Sequence, residues 1–69
     1  MSEIRVTVNG EARTIASPGT LEDLLTSLQL DARMVVVELN RKIVRRPQLD
    51  STRLKAGDSV ELVHFVGGG

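Results

Sequence analysis

Residues 54–69 read LKAGDSVELVHFVGGG. Gly57 and Asp58 form a turn signal. Val60 and Leu62 then alternate with Glu61, Val63 and Phe65, the period of two that a strand requires. One face of that strand carries Val60 and Leu62; the other carries Glu61, Val63 and Phe65. The strand runs directly into Gly67, Gly68 and Gly69, where the chain closes. A glycine-rich end taken alone reads as a loose terminus. A glycine end at a short fixed distance from a final strand is a more specific pattern, and the rest of the chain decides what it means.

Working back from that strand, residues 34–39 are β-branched and apolar, which predicts a strand. Val35, Val37 and Leu39 share one face of it, and Met34, Val36 and Glu38 the other. Asn40 and Arg41 form a turn, Ile43 and Val44 a short strand, and Pro47 ends it. Residues 48–56 are irregular, with Leu49 and Leu54 as expected anchors. At the start, Ile4, Val6 and Val8 alternate with Glu3, Arg5 and Thr7. The Asn9-Gly10 pair that follows supplies the positive φ angles of a two-residue hairpin turn. Residues 11–16 return as a second strand. A strict two-residue loop sets Ile15 opposite Ile4 and Arg13 opposite Val6. Either Arg13 lays its stem along the edge of the core, or the turn contains a bulge.

Between these strands lies a helix. Thr20 is an N-cap with Asp23 three residues on, the spacing of a capping box. Leu21, Leu24, Leu25 and Leu28 fall on one stripe. Glu22 and Asp23 read as helix-start acids, which suit the helix dipole. The order is β-β-α-β-β-β, an α+β architecture. It predicts one mixed sheet of four to five strands with one helix packed across it. With the first and last strands as a parallel central pair, Ile4, Val6, Leu24, Leu28, Val37 and Leu62 meet on the helix side.

Composition narrows the function. The chain has 69 residues, no cysteine, one aromatic residue, and nine basic residues balanced by nine acidic ones. A domain of this size buries only about 60% of the surface its unfolded chain exposes. Without cysteine there is no disulfide and no thiol nucleophile. Charge balance and the single aromatic argue against nucleic-acid binding. The apolar runs are too short for a membrane span. His64 stands alone, without a second ligand-type residue at metal-binding spacing. Arg41, Lys42, Arg45 and Arg46 read as a solvated basic turn. No Ser-His-Asp or metal constellation is present.

With those elements in place, the chain resembles the ubiquitin-like β-grasp proteins. It is most similar to the thiamine-biosynthesis sulfur carrier family, ThiS. The resemblance spans the whole chain. It is carried by VNGE at 8–11, TLEDLL at 20–25, VVVELN at 35–40, IV at 43–44 and the closing stretch 54–69. The resemblance implies a β-grasp domain over residues 1–64 and a flexible tail over 65–69. It also implies that Gly69 carries the reacting carboxylate, with no cofactor bound by the chain itself.

In that family an E1-like adenylyltransferase uses ATP and magnesium to adenylate the terminal carboxylate. Sulfur relayed from a cysteine desulfurase replaces the adenylate and leaves a thiocarboxylate. Thiazole synthase consumes it. Gly68 matches the second glycine of the motif, and Gly67 extends it. The expected setting is the cytoplasm, with a monomer when free. Two other readings share part of the pattern: the small subunit of molybdopterin synthase, and a protein modifier of the ubiquitin kind. The compact length and VHFVGGG favour the thiamine branch. An interaction module with an inert tail shares the fold alone.

Elementary chemistry explains glycine there. A free main-chain carboxylate, with a reference pKa of about 3.3–3.7, is an anion near neutrality. As an anion it attacks phosphorus but resists attack by sulfur until it acquires a leaving group. Residues 65–69, fully extended, span at most about 16–18 Å. Glycines allow that backbone to pass a narrow channel. Val36, Val63 and Phe65, on the face away from the helix, are the expected docking residues; packing beneath the loop 46–56 is the competing reading.

Overall fold

The computed structural model describes residues 2–17 and 19–65. Among these residues the strands are β1 (Ser2–Val8), β2 (Glu11–Ser17), β3 (Val35–Leu39), β4 (Lys42–Val44) and β5 (Ser59–His64), with a single α-helix, α1 (Leu21–Ser27). They form one sheet in the order β2-β1-β5-β3-β4. β1 and β5 are parallel, and the remaining neighbours are antiparallel. The parallel central pair, the mixed sheet and the single helix are those expected from the sequence.

The first hairpin has no bulge. Its register runs without a slip from Val8↔Glu11 to Ser2↔Ser17, through Val6↔Arg13 and Ile4↔Ile15. Asn9 (φ 50) and Gly10 (φ 84) take the positive φ values of a type I′ turn. Arg13 therefore lies on the helix side of an edge strand. It is exposed. The slip-free register excludes the bulge alternative.

α1 has only seven residues, too few to persist alone in water. Two features hold it. Thr20 and Asp23 make the reciprocal capping box: Asp23 N donates to Thr20 Oγ1 at 3.1 Å, and Thr20 N donates to Asp23 Oδ2 at 3.0 Å. The backbone N–H groups of Leu21 and Glu22 donate to the carbonyls of Thr52 and Leu49. The irregular loop thus straps the helix start and satisfies donors that a helix cannot satisfy itself. Leu49 and Leu54 anchor this strap in the core, as expected.

Beneath the helix, Leu21, Leu24 and Leu25 pack against Val6, Val8, Val35, Val37 and Val60. Ile4, Leu28, Leu39 and Leu62 close the margin of that cluster. Each such buried side chain contributes about 1.5–3 kcal/mol of apolar transfer energy before conformational entropy is subtracted.

Two details depart from the sequence reading. Residues Ala32–Met34 form a 3-10 turn, so β3 begins at Val35 and not at Met34. Arg46–Gln48 form a second 3-10 turn with Pro47 inside it, where an irregular segment is predicted to begin. In both cases an i to i+3 hydrogen bond tightens a chain reversal that has no periodic signature.

Candidate functional site

The sheet face away from the helix is built from the register of three strands. On β3 and β5, Val36 lies opposite Val63 and Glu38 opposite Glu61. On β4, Ile43 lies opposite Glu38. Because side chains alternate along a strand, all five project to the side that α1 does not cover. Ile43 (65% exposed), Val63 (57%) and Phe65 (46%) are the large apolar residues left in solvent among those described. Val36 is half-buried and borders a shallow groove of about 420 Å³ with Ile43, Arg45, Arg46 and Pro47. Val63 and Phe65 do not pack beneath the loop 46–56; they are open to solvent. A contiguous exposed apolar patch on a small protein marks an interaction surface.

Several contacts hold the end of β5 in place. The Asn9 carboxamide accepts from Leu62 N at 2.7 Å and donates to Leu62 O at 3.2 Å. On the other flank, Asn40 Oδ1 accepts from Ser59 N at 2.9 Å, and Asn40 Nδ2 donates to Asp58 Oδ1 at 3.0 Å. Asp58 is buried, and its second oxygen accepts from Lys55 N at 2.8 Å. Past the strand, Phe65 N donates to Met34 O at 2.8 Å. The ladder with β3 is therefore kept to the root of the glycine segment. Gly67, Gly68 and Gly69, and residues 66–69 of the expected tail, lie outside the described residues.

Electrostatics at this end of the sheet are simple. In the turn preceding Met34, Arg33 grips Asp31 with its Nε and Nη2 atoms, the shorter contact being 2.7 Å. That guanidinium, together with the Arg33 backbone N–H, holds the Asp31 carboxyl down at about 2. Arg33 is in turn raised from its ordinary value by the same hydrogen bond. His64 is exposed, on the helix side of β5 next to the tail root. Among the described residues no group of His, Asp or Glu is arranged to hold a metal ion. Among them, too, no helix is long and apolar enough to cross a membrane.

Sequence reasoning identified Val36, Val63 and Phe65, and the structure brings them together on one face. It missed Ile43, whose place on that face follows from the tight Asn40-Arg41 turn. It also read Asn9 and Asn40 as turn residues only, although both carboxamides are spent on the β5 segment.

This architecture and this site define a ubiquitin-like β-grasp protein whose last strand lies at the centre of the sheet, parallel to β1, and contributes to the outer apolar face. The chain belongs to the ThiS family, whose pattern matches residues 6–69. It is 45% identical over 51 residues to the sulfur carrier protein ThiS of Bacillus subtilis (strain 168), a match covering 74% of this chain and 77% of that protein. It is 38% identical over 66 residues to a thiazole synthase of Paramagnetospirillum magneticum, covering 96% of this chain but 20% of that protein. The crystal structure of the thiamine biosynthesis protein ThiS from Geobacter metallireducens superposes with a TM-score of 0.81 at 39% identity. That match covers 96% of this chain and all (100%) of that one.

Proposed function

We propose that the working group of this ThiS sulfur carrier of thiamine biosynthesis is the main-chain carboxylate of Gly69. The observation that carries the reading is the family match, which runs through residue 69 and so includes the glycines. As a carrier the chain is acted upon; the catalytic groups belong to its partners. A carboxylate oxygen of Gly69 attacks the α-phosphorus of ATP in the site of an E1-like adenylyltransferase, and pyrophosphate leaves. The outer sulfur of a persulfide supplied by a cysteine desulfurase relay then attacks the acyl carbon and AMP leaves; a thiol reductant cleaves the S–S bond of the resulting acyl disulfide and is itself oxidised to a disulfide. The resulting thiocarboxylate is the sulfur donor for thiazole formation. ATP and magnesium are used by the activating partner.

The outer face of the sheet is the docking surface for these partners. Val36, Val63 and Phe65 position the root of the tail, and Gly67 and Gly68 thread it toward the reacting centre. Glycine suits that passage because no Cβ obstructs the channel, at an entropic cost that docking of the folded domain offsets. Family members act with thiazole synthase. The likeness of this chain to a fifth of a thiazole synthase supports that partnership, since it places a related segment and the synthase in one polypeptide. The reading sets the protein in the cytoplasm, where such enzymes and ATP are present.

The experiment is an intact-mass measurement after incubation with the cognate activating enzyme, ATP, magnesium and a sulfur source. Replacement of one oxygen by sulfur at Gly69 is the expected result. No adduct, with an activating enzyme shown to be competent on another carrier, sinks the proposal.

A further inference from the structure

The outer face carries two rows of side chains across the β3–β5 ladder. One is apolar, Val36 opposite Val63. The next is acidic, Glu38 opposite Glu61, with Ile43 completing it on β4. Directly opposed residues have Cβ atoms about 4.5–5.5 Å apart, and like charges in that position are destabilising. Neither glutamate makes an ion pair among the described residues, although Arg45 shares the outer face beside Val36. Among the described residues the only ion pair is that of Arg33 with Asp31. Lys42 lies opposite Leu39 and so projects to the other side of the sheet.

Docking changes the balance. The row lies between exposed Ile43 and exposed Val63. A partner that covers both apolar residues must also cover the carboxylates between them. Burying an unpaired carboxylate carries a large desolvation cost, and two adjacent ones a larger cost. An opposing cation removes both penalties, because a guanidinium can donate to two carboxylates at once. A neutral or acidic partner surface leaves the carboxylates buried and unpaired, and is rejected.

We propose that Glu38 and Glu61 are specificity-determining residues of the docking face, jointly receiving one arginine or lysine side chain of thiazole synthase. The proposal rests on the docking reading above. It adds a charge requirement that the apolar residues alone do not impose.

The test measures binding of the full chain to thiazole synthase of the same organism by calorimetry at low and high salt. The double variant Glu38→Gln with Glu61→Gln keeps shape and removes charge. It is expected to bind about tenfold more weakly at low salt, with a flattened salt dependence. Its thermal unfolding should not fall, because the like-charge opposition is relieved. A second variant, Val63→Ala with Phe65→Ala, is expected to weaken binding while the salt dependence persists. Unchanged or tighter binding by the glutamine variant, with unchanged salt dependence, overturns the charge requirement and leaves the docking reading standing. Intact binding by the Val63/Phe65 variant overturns the docking reading itself. Self-association of the chain that disappears in the glutamine variant assigns the row to a second copy and overturns the proposal.

Discussion

Asn9 closes the first hairpin and, with the same side chain, holds both backbone groups of Leu62. The parallel ladder of β1 with β5 covers Thr7↔Ser59 and Val8↔Val60. Asn9 N donates to Val60 O, and the carboxamide continues the ladder to Leu62. A side chain thus stands in for a strand that has already turned away. Asn9→Ala loses two hydrogen bonds and places a Cβ residue without a polar side chain at φ 50. It should destabilise the protein by about 1–3 kcal/mol in denaturant unfolding. Asn9→Gly keeps the backbone freedom and loses only the bonds, so it should lose less. Its Leu62 amide should exchange hydrogen faster than in the parent.

Arg41 and Gln29 take φ values of 72 and 59. Arg41 is the second turn residue of the β3–β4 hairpin, a position that favours glycine. Gln29 follows the Leu28 cap, and the Leu30 N–H returns to Leu25 O in the pattern of a helix stop. Arg41→Gly and Gln29→Gly should each stabilise the fold by about 0.5–1 kcal/mol, read as a rise in denaturation midpoint. A loss of stability at either position contradicts the strain argument.

Gly19 is buried where the chain leaves β2 for α1, and its carbonyl accepts from Leu54 N. A Cβ there would lie 2.8 Å from the Ala16 carbonyl oxygen. The obstacle is backbone, which cannot rotate away as a side chain can. Gly19→Ala should cost about 1–3 kcal/mol. Thermal unfolding of the variant checks this, and an unchanged midpoint contradicts it.

The Asp31 carboxyl titrates at about 2 instead of 3.8, through its hydrogen bonds to Arg33. Its folded pKa is depressed, so its contribution to stability is present above pH 3.8 and is lost as pH falls through 2. The pair is exposed, and that contribution is small. The checkable quantity is the titration itself. Carbon-detected NMR should place the midpoint well below the ordinary carboxylate range, and Arg33→Ala should return it upward.

Deleting Gly69 should abolish sulfur loading in the intact-mass assay. It should leave thermal unfolding unchanged, because the described core is complete without it: Val60 is fully buried at 0% exposure. A marked loss of stability would make the tail a structural element and remove the basis for the carrier reading at this residue. Leu25→Ala gives the opposite control, an unfolding loss of about 2–5 kcal/mol from within the core.

Much of this protein is legible in its residues, for physical reasons. Alternation at Ile4, Val6 and Val8, and at Val60 and Leu62, announces strands because a pleated chain sends neighbours to opposite faces. Thr20 with Asp23 announces a helix start because the first N–H groups need acceptors. Asn9-Gly10 announces a hairpin because positive φ costs those residues little. The proposed docking residues Val36, Val63 and Phe65 follow from the same alternation, once the helix has claimed the other face.

What alternation leaves open is which strands become neighbours, since period two is the same for every pairing. The packed sheet settles it. Setting β5 between β1 and β3 puts Glu61 against Glu38 and Val63 against Val36. Those contacts join residues more than twenty positions apart, and no local pattern encodes them. The same packing turns Asn9 and Asn40 from turn formers into clamps on either side of β5. Local residue chemistry sets strands, turns and helix start; burial of the shared apolar core then selects one arrangement of them, and with it the face on which Ile43, Glu38, Glu61 and Val63 meet.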